Sequence, residues 1–308
     1  GKPMKEPQDV PFEKEGQYLK SDNRSNISYF LEHNVLLRRF TLSVGVLANY
    51  NSALNEGIHF YPGIDASYRI GDNFRLYGSW NRALRMPTFT DLYYEGKTNK
   101  GNPDLKPEES EAFEVGLKYN TYFLRAHIAG FYRKGKNMID WVKEKPEDIW
   151  ESQNLTKVDN LGFETNLSLL PRELGNERFF IRKIELGYAF IHQDKDSEGY
   201  ISNYALDYLK HKFTAQLSHS IWKGFSATWY VRWQDRAGSY TKYENLKPAY
   251  EEPYAPYCLV DMKVNWEYQR LNLYAELNNL LNSTYYDLGN IPQPGIWFKA
   301  GFRYSFKY

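Results

Sequence analysis

The sequence predicts an all-β fold: about 13 antiparallel strands forming part of a transmembrane β-barrel. Three observations lead there. Apolar and polar residues alternate through segment after segment, with little helical periodicity between them. The links joining those segments alternate between short and long, as in barrels with tight turns on one rim and broad loops on the other. Composition agrees, since 17% aromatic residues coexist with 25% charged residues, so apolar side chains are many but thinly spread. Strands with one face in hydrocarbon and the other in water have that character.

The alternating segments lie near residues 24–32, 36–49, 58–69, 73–82, 111–119, 122–142, 152–169, 180–193, 208–219, 225–235, 256–266, 271–278 and 296–307. Most are about 9 to 14 residues, enough for a tilted strand to cross a bilayer. Phe113, Val115, Leu117 and Tyr119 share one face, as do Leu124, Ala126, Ile128 and Tyr132 in the next segment. Ala227, Trp229, Val231 and Trp233 alternate with Thr228, Tyr230, Arg232 and Gln234. Val260, Met262, Val264 and Trp266 repeat the pattern, followed by Leu271, Leu273, Ala275 and Leu277. The last segment points Phe298, Ala300, Phe302, Tyr304, Phe306 and Tyr308 outward and Lys299, Arg303 and Lys307 inward. Short links are expected at His33–Val35, Ile70–Asp72, Asn120–Thr121, Ser220–Gly224 and Glu267–Arg270. Long ones are expected at Arg82–Ser110, Asp194–Asp207, Arg236–Ala255 and Asn279–Gly295. Arg38 and Arg182 fall on the greasy face, but at strand ends, where a cation costs far less than the roughly 2–4 kcal/mol of the bilayer midplane.

Several function classes drop out. A formal net charge of +1 offers no basic stripe for nucleic acid. The longest uncharged stretch, Phe40 to Asn55, is broken by Thr41, Ser43, Asn49, Asn51 and Ser52, so no membrane helix is expected. Cys258, the single cysteine, excludes an internal disulfide and a cysteine-based zinc site. The six histidines form no i, i+4 pair, and no phosphate loop, nucleophile elbow or zinc helix occurs, so neither a metal site, a cofactor nor catalysis is expected. The start at Gly1-Lys2-Pro3 places any secretory signal outside this sequence.

Two motifs carry a family resemblance. Asn81-Arg82-Ala83-Leu84-Arg85-Met86-Pro87, then Asp91-Leu92-Tyr93-Tyr94 and GNPDLKPEES from Gly101 to Ser110, with Glu114 and Gly116 beyond, resembles TonB-dependent outer-membrane receptors. The closing Leu277-Asn278-Asn279-Leu280-Leu281-Asn282, Tyr285 and Pro294-Gly295 are similar too. The resemblance implies a 22-stranded barrel in the bacterial outer membrane, plugged by an N-terminal domain. It implies that residues 1–308 are the C-terminal portion of that barrel, with the plug and first nine strands absent and residues 1–23 the remainder of an outer loop. The implied function is import of a scarce nutrient powered through TonB, which engages the missing N-terminal part. Among such receptors the sequence looks most like those for cobalamin, with ferric-siderophore receptors next. Outer-membrane lipid is a further implied partner, and a surface lipoprotein over the barrel is left open. An outer-membrane barrel enzyme and a soluble carbohydrate-binding β protein are the competing classes.

The outer loops are where ligand contacts are expected, because binding residues concentrate on loops carried by a rigid scaffold. The candidates are Tyr93, Tyr94, Trp150, Tyr200, Tyr204, Tyr240, Tyr243, Tyr250, Tyr254 and Tyr286, whose rings offer broad area with a polar edge. An aromatic girdle at the membrane interface is the competing reading of each. The motif residues Arg82, Arg85, Pro87, Asp91, Asn102, Pro103, Leu105, Pro107, Glu108 and Glu114 are expected to be structural, with the prolines stiffening the loop and the charges pairing to fix its two ends. Asn278 and Asn279 are expected at a strand end and turn.

Overall fold

The computed structural model describes residues 23–53, 57–145, 147–175, 178–196, 199–202, 208–244, 247–289 and 291–306. Residues 1–22 and Tyr204 lie outside them. Thirteen long strands pair in sequence order as one antiparallel meander. They are β1 (Asn26–Leu36), β2 (Phe40–Asn51), β3 (Ile58–Ile70), β4 (Phe74–Arg85), β5 (Glu108–Asn120), β6 (Leu124–Lys143) and β7 (Trp150–Leu169). The remainder are β8 (Ile181–Asp196), β9 (Tyr208–Trp222), β10 (Phe225–Ala237), β11 (Tyr257–Tyr268), β12 (Leu271–Asn278) and β13 (Trp297–Tyr304). Among the described residues β1 and β13 are not paired with each other, so the wall is an open part of a barrel.

Pairing converts the sequence alternation into two continuous faces. Leu76, Leu117 and Ile128 lie side by side across β4, β5 and β6. Leu217, Trp229, Met262, Leu277 and Phe298 do the same from β9 to β13. These residues are not packed inward. Val115 keeps 62% of its surface exposed and Phe302 keeps 73%, values that a water-soluble core would not leave. Ring pairs flank this band near both ends: Phe74–Tyr119 and Trp266–Tyr268 toward the short turns, and Trp80–Phe113 and Phe163–Phe190 toward the long loops. Paired aromatic girdles of this kind mark the two membrane interfaces.

The opposite face is polar and self-satisfied. Glu276 accepts from Lys263 at 2.7 Å and Lys299 at 2.6 Å, and the Tyr77 hydroxyl donates to Glu114 at 2.8 Å. Gly116 lies directly beneath Tyr77, where a Cβ would fall 2.5 Å from the ring. Gly224 makes the tight turn between β9 and β10 at φ +77°, with the Glu267 carbonyl 2.4 Å from where a Cβ would stand.

One turn differs from expectation. His33–Val35 continues β1, with His33 opposite Val44 and Val35 opposite Leu42, and the chain reverses at residues 37–39, closed by Leu37 N–H donating to the Phe40 carbonyl at 2.8 Å. The polar His33-Asn34 pair looks like a turn, yet both residues stay in the ladder, Asn34 opposite Ser43, and the Asn34 amide donates along the strand to Glu32 at 2.8 Å. Arg38 therefore belongs to the turn itself. The strands beside the long links also run further than expected, β4 to Arg85, β5 from Glu108 and β7 from Trp150.

Candidate functional site: the long-loop rim

β6 and β7, each 20 residues, rise beyond the aromatic girdle and form a hairpin that the neighbouring loops cover. Its outer part carries the one buried apolar cluster of the described residues, Val142, Leu155 and Val158, with Met138 and Tyr200 packed against it. The loop after β4 docks onto this hairpin. It opens with a one-turn helix, α1 (Phe89–Tyr93), whose capping box joins Thr88 and Asp91: Thr88 N–H donates to Asp91 Oδ2 at 2.9 Å and Asp91 N–H to Thr88 Oγ1 at 3.1 Å. Ser152 Oγ donates to the Asp91 carbonyl at 2.5 Å, which also receives the Asn102 N–H at 2.9 Å. Residues 99–100 then pair in parallel with Trp150 and Glu151, and Asn154 clamps Lys106 through both its amide and its carbonyl.

The motif charges act at the ends of this loop. Arg85 donates to Glu108 through Nε at 2.5 Å and Nη2 at 2.6 Å, and Glu108 also accepts the Ile139 backbone N–H at 2.7 Å. That carboxylate holds the guanidinium above its ordinary range. Arg82 instead reaches Glu111 at 3.3 Å and Glu109 at 3.7 Å, while Glu114 serves Tyr77. Of the five charges expected to pair with one another, only Arg85 and Glu108 do so. Leu105 is buried, and Asn102 accepts the Asp104 N–H at 2.9 Å, while Pro103 and Pro107 lie on either side of Leu105.

The nine aromatic candidates among the described residues separate into different roles. Tyr94 meets Trp141 edge-on at 6.3 Å, and Tyr93 stacks on Phe89 at 6.4 Å. Trp150 is the first residue of β7 rather than a loop residue and lies under Lys143 at 4.4 Å; Tyr200 belongs to the apolar cluster. On the far side of the rim, Ser239–Glu244 and Lys247–Pro253 form a separate hairpin. There Tyr240 lies 5.3 Å from Tyr286 and 5.2 Å from Tyr254. Lys242 stands over Tyr240 and Tyr286, and Arg236 over Tyr254 at 5.5 Å. Lys242 pairs with Glu252 at 2.8 Å, which lowers the Glu252 pKa and raises that of Lys242. Tyr243 and Tyr250 join neither assembly and are 53% exposed each. Sequence reading missed the cations Lys242, Arg236 and Lys143; the first sits two residues from Tyr240, a same-face spacing on a strand that could have revealed it.

Asn279 lies just past the end of β12 and fixes the turn that follows. Its N–H donates to Asp261 at 2.7 Å, its amide to the Ser283 carbonyl at 2.9 Å, and its carbonyl accepts the Ser283 N–H at 2.9 Å. Asn278 is the last residue of β12, paired with Trp297. Among the described residues no three His, Cys, Asp or Glu gather to hold a metal ion.

The profile of the family described as TonB dependent receptor-like, beta-barrel matches residues 6–280. This chain belongs to that family. As a TonB-dependent receptor barrel it lies in the outer membrane of Gram-negative bacteria. The sequence is similar to the vitamin B12 transporter BtuB of Vibrio vulnificus, 26% identical over 225 residues, covering 55% of this chain and 36% of that protein. It is similar to the ferrienterobactin receptor of Escherichia coli, 22% identical over 297 residues, covering 87% of this chain and 38% of that protein. Among solved structures, the ferric enterobactin receptor PfeA of Pseudomonas aeruginosa superposes with a TM-score of 0.72 at 18% identity, covering 99% of this chain and 48% of that one. The chain thus spans little more than a third of the length of these two curated relatives.

Proposed function

We propose that this TonB-dependent receptor chain is the C-terminal, ligand-facing part of an active importer of a large metal complex, with cobalamin as the first candidate and a ferric siderophore as the second. The plug, the first nine strands and the segment that engages TonB precede it in the whole protein, and it carries out no chemistry on its cargo. What carries the reading is the rim. A wall greasy outside and polar inside ends in a loop platform with its own small core and in a tyrosine and cation cluster, Tyr240, Tyr254, Tyr286 and Lys242, on the other side. Such surfaces present wide, amphipathic contact area at little entropic cost. The similarity to a vitamin B12 transporter supports cobalamin, and the similarity to a ferrienterobactin receptor supports the second candidate. Calorimetric titration of the full-length receptor with cyanocobalamin and with ferric enterobactin tests the reading. Saturable binding of the first is the expected result; binding of neither removes both candidates.

A further inference from the structure

Arg182 stands on the apolar face of β8, in line with Ile184 and Leu186, which pair with Leu217 and Ala215 of β9. Its end of the strand meets the short turns, which in barrels of this kind face the periplasm. A second arginine reaches the same place. The link from β7 to β8 runs through a 3-10 turn, Pro171–Leu174, closed by Gly175 at φ +101°, and it carries Arg172 back toward the start of β8. Arg172 Nε donates to the Phe179 carbonyl at 2.8 Å and its Nη2 to Ser220 Oγ at 2.7 Å. Arg182 Nε donates to that same Ser220 Oγ at 2.9 Å. Two guanidinium groups therefore converge on one neutral oxygen.

Like charges held side by side repel, and the Ser220 hydroxyl brings no charge to offset them. Among the described residues neither guanidinium reaches a carboxylate. Glu173, the nearest in sequence, is exposed, and Lys183 pairs with Glu185 at 2.8 Å one position along, on the other face of the strand. Exposed aromatic rings flank the pair on three successive turns, Tyr122, Phe180 and Trp222. Backbone bonds tie those turns together: Leu170 N–H donates to the Phe123 carbonyl at 2.8 Å, and Ser220 N–H to the Phe180 carbonyl at 2.7 Å. Aromatic rings at such a rim lie at the depth of lipid headgroups. The anion present at that depth is a phosphate, which guanidinium groups grip through paired, charge-assisted bonds.

We infer that Arg172 and Arg182 form a headgroup site for an anionic phospholipid of the periplasmic leaflet, with its phosphate between the two guanidinium groups and its chains against the exposed rings. A zwitterionic headgroup fits less well, because its ammonium would add a third cation to the pair. The site is independent of which ligand the receptor imports. Native mass spectrometry of the full-length receptor in neutral detergent, titrated with phosphatidylglycerol and separately with phosphatidylcholine, tests it. Wild type is expected to retain phosphatidylglycerol in preference to phosphatidylcholine. Arg172→Gln/Arg182→Gln is expected to weaken phosphatidylglycerol about 25-fold, at about fivefold for each arginine. Arg38→Gln/Arg39→Gln removes the same charge from another turn of that rim and is expected to leave the affinity unchanged. Arg182→Gln alone keeps the Arg172–Phe179 bond that holds the 3-10 turn, so it reads out a weakening of about fivefold even where the double variant does not fold. Equal retention of the two lipids by wild type overturns the site, as does full phosphatidylglycerol affinity in Arg182→Gln. An equal loss in the Arg38/Arg39 variant overturns it in favour of diffuse surface charge, and displacement of the lipid by an equal concentration of inorganic phosphate overturns the assignment to a lipid.

Discussion

Replacing Glu108 with alanine separates a structural clamp from a ligand contact. Glu108 is 7% exposed and accepts three hydrogen bonds, two from Arg85 and one from the Ile139 N–H, so it ties the end of the α1 loop to the projecting hairpin. Alanine leaves the Ile139 N–H unmet, at about 1–3 kcal/mol for a buried donor. The Arg85 side chain is 50% exposed and can rehydrate, so its loss adds about 1 kcal/mol rather than the full cost of a broken buried pair. The sum, about 2–4 kcal/mol, predicts that hydrogen exchange in residues 87–107 and 137–142 of the full-length receptor speeds up from about thirtyfold to several hundredfold. Global unfolding moves little, because the wall is held by ladders elsewhere. Glu108→Gln keeps an acceptor for Ile139, so its effect is smaller than that of alanine. If Ile139 keeps its protection in Glu108→Ala, or if the two variants exchange alike, the clamp reasoning is wrong.

Four more outcomes are expected. Gly101→Ala places a Cβ 2.8 Å from the Leu92 and Tyr93 backbone, so the turn must move and the Gly101 N–H to Tyr94 bond breaks; limited proteolysis then cuts within residues 94–107 sooner than in wild type. Asn154→Ala removes three side-chain bonds to Lys106 and Asn137, and is expected to raise exchange at Lys106 about tenfold or more. Val115→Arg puts a cation in the middle of the exposed apolar band and costs about 2–4 kcal/mol of stability in lipid vesicles, read from the urea midpoint, whereas Ser79→Arg on the polar face costs clearly less. The Lys242–Glu252 contact is pH-dependent: Glu252 is depressed in the folded hairpin, so its contribution is complete above the ordinary glutamate value of 4.5 and disappears as pH falls through the lower folded value. Protection of Ser239–Glu244 and Lys247–Pro253, the intrinsic exchange rate relative to the observed one at each pH, is accordingly flat near neutrality and falls only in acid, and Lys242→Met abolishes that acid dependence.

The wall was legible because a period of two is imposed on every strand by the solvent on each side. Each of the 13 expected segments overlaps a strand of the sheet, and the family signature lay in contiguous motifs. What sequence reading missed depends on contacts between distant residues. Trp150 looked like loop because its strand extends past the membrane, where alternation no longer reports lipid; its pairing with Asn99 follows only once the α1 loop folds back. Arg82 and Arg85, three residues apart, looked like equivalent clamp members, yet Arg85 meets Glu108 and Arg82 meets Glu109 and Glu111. The misplaced first turn has the same origin, since what keeps His33 to Val35 on the strand is their pairing with Leu42 to Val44, which a polar dipeptide does not announce.

The two halves of the rim are built on different physical terms, and that difference bears on how a ligand would be gripped. The α1 loop is fastened to β6 and β7 by a helix cap, backbone pairing, the Asn154 clamp and a buried apolar cluster, so it opens only at the cost of many contacts. The hairpin of Ser239–Glu244 and Lys247–Pro253 pairs with itself, partly through its internal Lys242–Glu252 pair, and among the described residues it meets the rest of the rim through Tyr240 against Tyr254 and Tyr286 and through Lys242 over Tyr286. Fewer contacts mean a smaller opening free energy, which makes the hairpin the cheaper half to move. A ligand that bridges both halves would therefore order the hairpin against the fixed platform, and the loss of freedom would fall on Tyr240, Tyr254 and Tyr286 rather than on Tyr94 and Trp141.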